Sequence, residues 1–282
     1  MNEAAFEAQR PRLARLAYRM LGSLADAEDV VQDAWLRWRR AGETVEDPAA
    51  WLVRVTTRLC LDRLRAEKAA RAAYRGPWLP EPLVEDLAEA PLERAEEVSV
   101  AFLLALQRLS PLERAVFLLH DVFDADYAAV AAALDRSESA CRQLAVRARA
   151  HVREARPRFA VAEDQLLRLA TAFMHAAARG DTSALSELLA EHAVLISDGG
   201  GKRPAALRPI VGREEVVALL QGLKRSGSLA STGKVRPARI NGYPGMIFAD
   251  DEGPQTIAFE PDEAGRIAAI FIVRNPEKLA RL

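Results

Sequence analysis

Apolar residues recur at helical spacing through the first 75 positions of the chain. Leu13, Leu16, Ala17, Met20 and Leu21 make one stripe, and Ala27, Val30, Val31, Ala34, Trp35 and Trp38 make a second. Trp51, Leu52, Val55, Leu59 and Leu64 make a third, in a helix that starts after Pro48. Ser23 is placed to cap the second helix, with Asp26 and Glu28 in its first turn, where negative charge suits the helix dipole. The polar sides are Asp29, Gln32, Asp33 and Arg37 on the second helix. On the third they are Arg54, Thr57, Arg58, Asp62, Arg63 and Arg65, continuing to Lys68 and Arg71. Trp51 reads as core rather than as a base-stacking aromatic.

The periodicity stops at residue 76. Pro77, Pro80, Pro82 and Pro91 break any helix, and Glu81, Glu85, Asp86, Glu89, Glu93, Glu96 and Glu97 stand against one cation, Arg94. An extended acidic linker over 76–97 follows. A plain tether has no use for a tryptophan, so Trp78 and Leu79 are expected to dock.

Helical patterning resumes at about residue 98 and ends near Pro157. Ser110, Pro111 and Glu113 form a capping box ahead of Val116, Phe117 and Leu119. A short helix from Asp126-Tyr127, a turn at Asp135-Arg136 and a helix capped by Ser137 give the layout of a helix-turn-helix. In the last helix Cys141, Leu144, Ala148 and Val152 share one side; Ser139, Arg142, Gln143 and Arg147 share the other. Arg142 and Gln143 are placed to reach base edges, and Arg147 and Arg149 to hold phosphates. The competing reading is an arginine-rich solvated face on an ordinary helical hairpin.

From about residue 160 the pattern changes class. Leu166–Ala178, Ser183–Leu189 and Glu214–Leu223 read as helices. Ala193–Ile196, Val235–Ile240, Gly245–Ala249, Thr256–Phe259 and Ile267–Val273 read as strands, giving an α+β domain with an antiparallel sheet. Helices over one face would leave a pocket, either packed or open to a ligand. The run Asp198-Gly-Gly-Gly-Lys202 reads locally as a hairpin turn; it lacks the spacing of a phosphate-binding P-loop.

Length and charge narrow the picture. The 282 residues allow two or three domains, and a net charge of -1 excludes a protein that coats nucleic acid over its whole surface, though not one with local basic patches. Cys60 and Cys141 fall inside apolar helical patterns and read as buried thiols of a reducing cytoplasm. His120, His151, His175 and His192 make no metal-ligand spacing, so neither metal nor cofactor is expected. With no membrane-length apolar run and no signal-peptide core, a cytoplasmic protein away from the membrane is expected.

Residues 6–157 resemble a bacterial extracytoplasmic-function sigma factor. The stretches that carry the likeness are Tyr18-Arg-Met-Leu-Gly22, Asp26-Ala-Glu-Asp-Val-Val-Gln-Asp-Ala-Trp35, Arg58-Leu-Cys-Leu-Asp-Arg-Leu-Arg65 and Leu109-Ser-Pro-Leu-Glu-Arg-Ala-Val-Phe117. Residues 160–282 resemble the SnoaL-like, nuclear-transport-factor-2-like fold. The whole is similar to the SigJ-type group, which carries three motifs present here. They are Trp78, Leu79, Pro80, Glu81 and Pro82 in the linker; Asp198, Gly199, Gly200, Gly201 and Lys202; and Asn275, Pro276, Glu277, Lys278 and Leu279 near the C-terminus.

The resemblance implies a multidomain chain: sigma region 2 over 1–75, linker over 76–97, sigma region 4 over 98–157, and a cone-shaped SnoaL-like domain over 160–282. It implies core RNA polymerase as a partner, through the β′ clamp helices and the β flap, with Asp29, Gln32, Asp33 and Arg37 on the clamp surface. It implies promoter DNA as the other partner. Arg54, Thr57, Arg58, Asp62, Arg63, Arg65 and Lys68 would meet the -10 element; Ser139, Arg142, Gln143, Arg147 and Arg149 would meet the -35 element. It further implies control in cis, with the three motifs forming an interdomain interface. Three alternatives stay open: a small-molecule sensor in the C-terminal pocket, SnoaL-type catalysis with Asp198, His192 or His175 as acid or base, and a non-sigma helix-turn-helix regulator. The sigma reading makes the chain no enzyme. A monomer is expected, with a dimer through the sheet left open.

Overall fold

The computed structural model describes residues 2–41, 45–85, 98–153, 163–227, 235–250 and 252–282. The linker residues Asp86, Glu89, Pro91, Glu93, Arg94, Glu96 and Glu97, and the domain end at Pro157, lie outside the described residues. The chain divides into two compact units, residues 1–73 with 102–156, and residues 74–101 with 157–282.

The first unit is helical. α1 spans Asn2–Leu21, α2 Leu24–Ala41 and α3 Pro48–Ala72. Ser23 accepts the Asp26 N–H at 3.1 Å, and Asp47 accepts the Ala50 N–H at 3.0 Å with Pro48 just inside α3. Phe6, Leu13, Val31, Trp38 and Leu52 form a core on which Trp35 and Trp51 pack. The Trp38 and Trp51 rings lie 5.6 Å apart, so Trp51 is a packing residue. Each fully buried side chain of this size contributes about 1.5–3 kcal/mol.

α4 covers Val100–Gln107 and α5 Pro111–Phe117. The Ser110–Glu113 capping box is formed in both directions. α5 runs on into one π-helical turn, Leu118–Val122. α6 (Tyr127–Leu134) is capped by Asp126 and stopped by Asp135 in the left-handed region, φ 57°. α7 (Glu138–Arg153) buries Cys141, Ala145, Ala148 and Val152. α6, the turn and α7 make the helix-turn-helix. Within this unit α6 also packs against α3, and α5 against α1 and α3.

In the second unit α8 (Glu163–Arg179), α9 (Thr182–Leu188) and α10 (Arg213–Arg225) accompany a seven-stranded sheet. Its strands are β1 (Val84–Glu85), β2 (Leu189–Asp198), β3 (Ile210–Val211), β4 (Arg236–Ile240), β5 (Tyr243–Asp250), β6 (Gly253–Pro261) and β7 (Ile267–Val273), in the order β1-β4-β5-β6-β7-β2-β3. The α+β class stands, but the sheet is mixed rather than antiparallel: β2 runs parallel to β7. Side-chain alternation records burial and not strand direction. A parallel neighbour only requires a long excursion between the two strands, and the chain through α10 and β4–β6 supplies it.

The pairing register sorts the sheet into two faces. Leu195, Met246, Ile257, Phe259 and Ile270 belong to the core shared with α8, α9 and α10. Alternation puts Asp198, Ile247, Ala258, Glu260, Phe271 and Val273 on the other face, where all are buried too. The described residues 74–85 and 98–101 meet this second face: the Leu79 N–H bonds Asp198, and the Ala101 N–H bonds Glu260. β1 then extends the sheet edge, with Val84 opposite Ile240 and Glu85 opposite Arg239.

Candidate functional site

The polar side of α2 presents Asp29, Gln32, Asp33 and Arg37, all exposed. α3 runs beside it with Arg58, Asp62, Arg65 and Lys68 exposed and Arg54 half-buried. Arg63 joins the two helices, 2.9 Å from Asp29 and 3.1 Å from Asp26. Thr57 needs correction: it is buried, and its hydroxyl donates to the Val53 carbonyl one turn back at 2.8 Å. A threonine can satisfy its hydroxyl within its own helix, so polarity alone did not mark an outward position.

On α7, Ser139, Arg142, Gln143 and Arg147 are exposed and Arg149 is half-buried. The cations rest on local carboxylates: Arg147 on Glu113 at 2.9 Å and Arg149 on Asp121 at 2.6 Å. The Arg147 pair, whose cation is 60% exposed, is of a kind worth about 0–1 kcal/mol, so phosphate oxygens can replace its carboxylate at little cost; the Arg149 pair is part-buried.

The candidate -10 face meets the helix-turn-helix bend inside the helical unit. A cavity of about 260 Å3 is lined by Arg58, Asp62 and Arg65 of α3 together with Leu112 of α5 and Leu134, Asp135 and Arg136 at the helix-turn-helix bend. In the same unit, Arg114 is 3% exposed. Its Nε donates to the Leu106 carbonyl at 2.8 Å and its Nη1 to the Met20 carbonyl at the end of α1. Burial, with Arg71 beside it, pushes the guanidinium down to about 9. Arg71 donates to the Leu21 carbonyl at 2.7 Å and to Gln107, which also accepts from Arg114. Two arginines therefore join α4 and α5 to the C-terminal ends of α1 and α3.

In the second unit the three glycine- and proline-bearing motifs converge on Asp198, which is fully buried. Its carboxylate accepts from Tyr74 Oη at 2.6 Å, the Leu79 N–H at 2.9 Å, the Gly200 N–H at 2.9 Å and Lys278 Nζ at 2.7 Å. A buried carboxylate is tolerated when charge and hydrogen bonds are both supplied, as here. Lys278 also donates to the Leu79 carbonyl and lies 4.2 Å from the Trp78 ring centre and 5.1 Å from that of Tyr74. Asn275 donates to Tyr74 Oη at 2.9 Å. Burial, then the bond to Asp198, raises the Tyr74 phenol above its ordinary value.

The remaining motif positions surround this knot. Leu79, Pro80, Glu81, Pro82, Gly199 and Leu279 are buried, and Glu81 faces Arg281 at 3.7 Å. Gly200 has φ 62°, and a Cβ there would run into the Asn275 side chain, so the turn needs glycine. Gly201, Lys202 and Pro276 are exposed, and Lys202 pairs with Glu277. His175 and His192 are exposed and take no part.

Sequence reasoning missed Tyr74, Arg114 and Glu260. Glu260 is 5% exposed and accepts the Ala101 N–H at 2.9 Å; burial pushes its carboxyl up to about 7. The one available signal for Tyr74 was an aromatic four residues before Trp78. Among the described residues no cluster of His, Cys, Asp or Glu could hold a metal, and no helix is long and apolar enough to cross a membrane.

Sigma-70 region 2 matches residues 5–70, and Sigma-70 region 4 matches residues 99–152. The chain is 37% identical to the ECF RNA polymerase sigma factor SigJ of Mycobacterium tuberculosis, over 99% of this chain and 93% of the relative. The chain belongs to the ECF RNA polymerase sigma factors. A probable ECF sigma factor from the same organism, SigI, is 32% identical over 98% of this chain and 94% of its own length. The crystal structure of M. tuberculosis SigJ superposes with a TM-score of 0.80 at 36% identity, covering 98% of both chains. Both relatives are matched through the C-terminal α+β domain as well as the sigma regions. As an ECF sigma factor the protein works with core RNA polymerase and promoter DNA.

Proposed function

We propose that this sigma factor exists in a closed form, in which regions 2 and 4 pack together, and an open form that engages polymerase and promoter. The C-terminal domain, through its hold on the linker, sets the balance between them. The observation that carries the reading is the cavity where Arg58, Asp62 and Arg65 face the helix-turn-helix bend. A -10 face so close to region 4 is not free to take a melted strand.

In the open form Asp29, Gln32, Asp33 and Arg37 dock on the β′ clamp helices, and region 4 docks on the β flap. Arg54, Arg58, Arg63, Arg65 and Lys68 hold the -10 strand by its phosphates, with Asp62 beside them; Thr57 acts only by bracing α3. Ser139, Arg142 and Gln143 enter the -35 major groove, and Arg147 and Arg149 hold its backbone. The knot at Asp198 ties Tyr74, at the exit of α3, to the C-terminal domain, which makes linker release the control point. The protein acts in the cytoplasm, where its polymerase is.

Run-off transcription with bacterial core polymerase tests this. The full chain, a chain ending at Pro157 and a chain lacking the tail from Asn275 are compared on a promoter library. Initiation that depends on the protein and changes on truncation supports the reading. Absence of initiation and of polymerase binding by every version refutes it.

A further inference from the structure

A cleft of about 330 Å3 opens beside the Asp198 knot, within the second unit. Its lining includes three cations, Arg75, Lys202 and Arg203, and no carboxylate. Two of the cations are neutralised from outside: Lys202 pairs with Glu277, and Arg203 lies 3.3 Å from Glu252 while donating to the Pro254 carbonyl at 2.7 Å. Arg75 is exposed and has no ion pair or hydrogen bond among the described residues; its side chain lies along Gly201. Gly200 and Gly201 are consecutive left-handed residues, with φ 62° and 71°. The Gly201 N–H has no acceptor among the described residues.

The rest of the wall is apolar. Pro77 and Ala206 line it, and Leu207 stands 64% exposed at its rim. A guanidinium and a backbone N–H with no partner among the described residues, next to an exposed leucine, describe a receptor for a molecule with an anionic head and an apolar body.

We infer that this cleft is a binding site for a small organic acid, whose carboxylate meets Arg75 and the Gly201 N–H and whose apolar body lies against Leu207 and Pro77. The bound acid touches the linker start (Arg75 to Pro77) and the glycine turn together, one residue from Trp78 on one side and three from Asp198 on the other. Binding stands on the cleft alone; a role for the acid as an effector of transcription rests on the linker reading above.

The test is isothermal titration of the full-length protein with 1-naphthoate, with 1-naphthylmethanol as the neutral isostere and inorganic phosphate as a head without a body. Naphthoate is expected to bind. The alcohol, phosphate and the Arg75→Ala protein are each expected to bind about tenfold more weakly or worse, the loss of one charge-assisted contact or of the apolar one. Arg75→Lys should recover part of the loss, and circular dichroism confirms that each variant is folded. No binding of naphthoate, or affinity unchanged by Arg75→Ala, or equal binding of the alcohol or of phosphate, overturns the inference. None of these results bears on the transcription test of linker control, so the two can fail separately.

Discussion

Tyr74 Oη donates to Asp198 at 2.6 Å and accepts from Asn275 at 2.9 Å, so the residue that follows the last turn of α3 is held by the C-terminal domain at both of its polar valences. Lys278 completes the arrangement at the other carboxylate oxygen of Asp198. A fully buried carboxylate thus depends on a tyrosine, a lysine and two backbone N–H groups, drawn from linker, turn and tail. Loss of any one side-chain partner leaves a charge in a dry site, and the system is correspondingly sensitive.

Lys278→Met should be severely destabilising. It keeps the apolar stem near Trp78 but strands the Asp198 charge, a change worth about 3–5 kcal/mol. Denaturant unfolding should show that loss, and the double variant with Asp198→Asn should recover most of it. A loss under about 1 kcal/mol would mean that the ion pair is incidental.

Glu260 predicts an unusual pH dependence. Burial dominates over its bonds to Ser99, Val100 and Ala101, so its folded pKa of about 7 lies above the unfolded value of 4.5. Between these values the folded state binds more protons, and stability therefore falls as pH rises from 4.5 through 7. The full swing is on the order of 3 kcal/mol. Calorimetric scans at pH 5 and pH 8 should show it in the wild type. Glu260→Gln, uncharged throughout and still able to accept from Ala101, should lose that part of the slope.

The -35 residues should separate by role. Arg142→Ala or Gln143→Ala should relax base preference at one position, by about 1–3 kcal/mol of discrimination. Arg147→Ala and Arg149→Ala should weaken all sequences alike and lower the salt slope by about one each. Binding assays on a randomised -35 duplex, repeated at several salt concentrations, make the distinction.

Much of this could be read from the chain. Ser23 and Ser110 announced their helices, and Asp126 and Ser137 bounded the helix-turn-helix, because caps are local chemistry. What stayed hidden was non-local. β1 is two residues in a proline-rich acidic stretch, and only the free edge of β4 makes it a strand. The parallel pairing of β2 with β7 leaves no trace in alternation. Arg114 reads as an ordinary charge near a helix start, yet it is buried because the Met20 and Leu106 carbonyls and the Gln107 side chain receive it. The three motifs round Asp198 could be named but not assembled, since the contact joins positions about 120 to 200 residues apart by the cited bonds.

In the proposed function, regions 2 and 4 part when the protein goes to work. Cys60 and Cys141 are buried, so dyes on Ala70→Cys in α3 and Val146→Cys in α7, both exposed positions, label selectively. Energy transfer between them is measured in the free protein and again with core polymerase and promoter DNA. High transfer in the free protein is predicted, with near-complete loss in the initiation complex. DNA elements about 25 base pairs apart lie ~85 Å from each other at about 3.4 Å per step. High transfer retained in a complex that is actively transcribing would contradict the account.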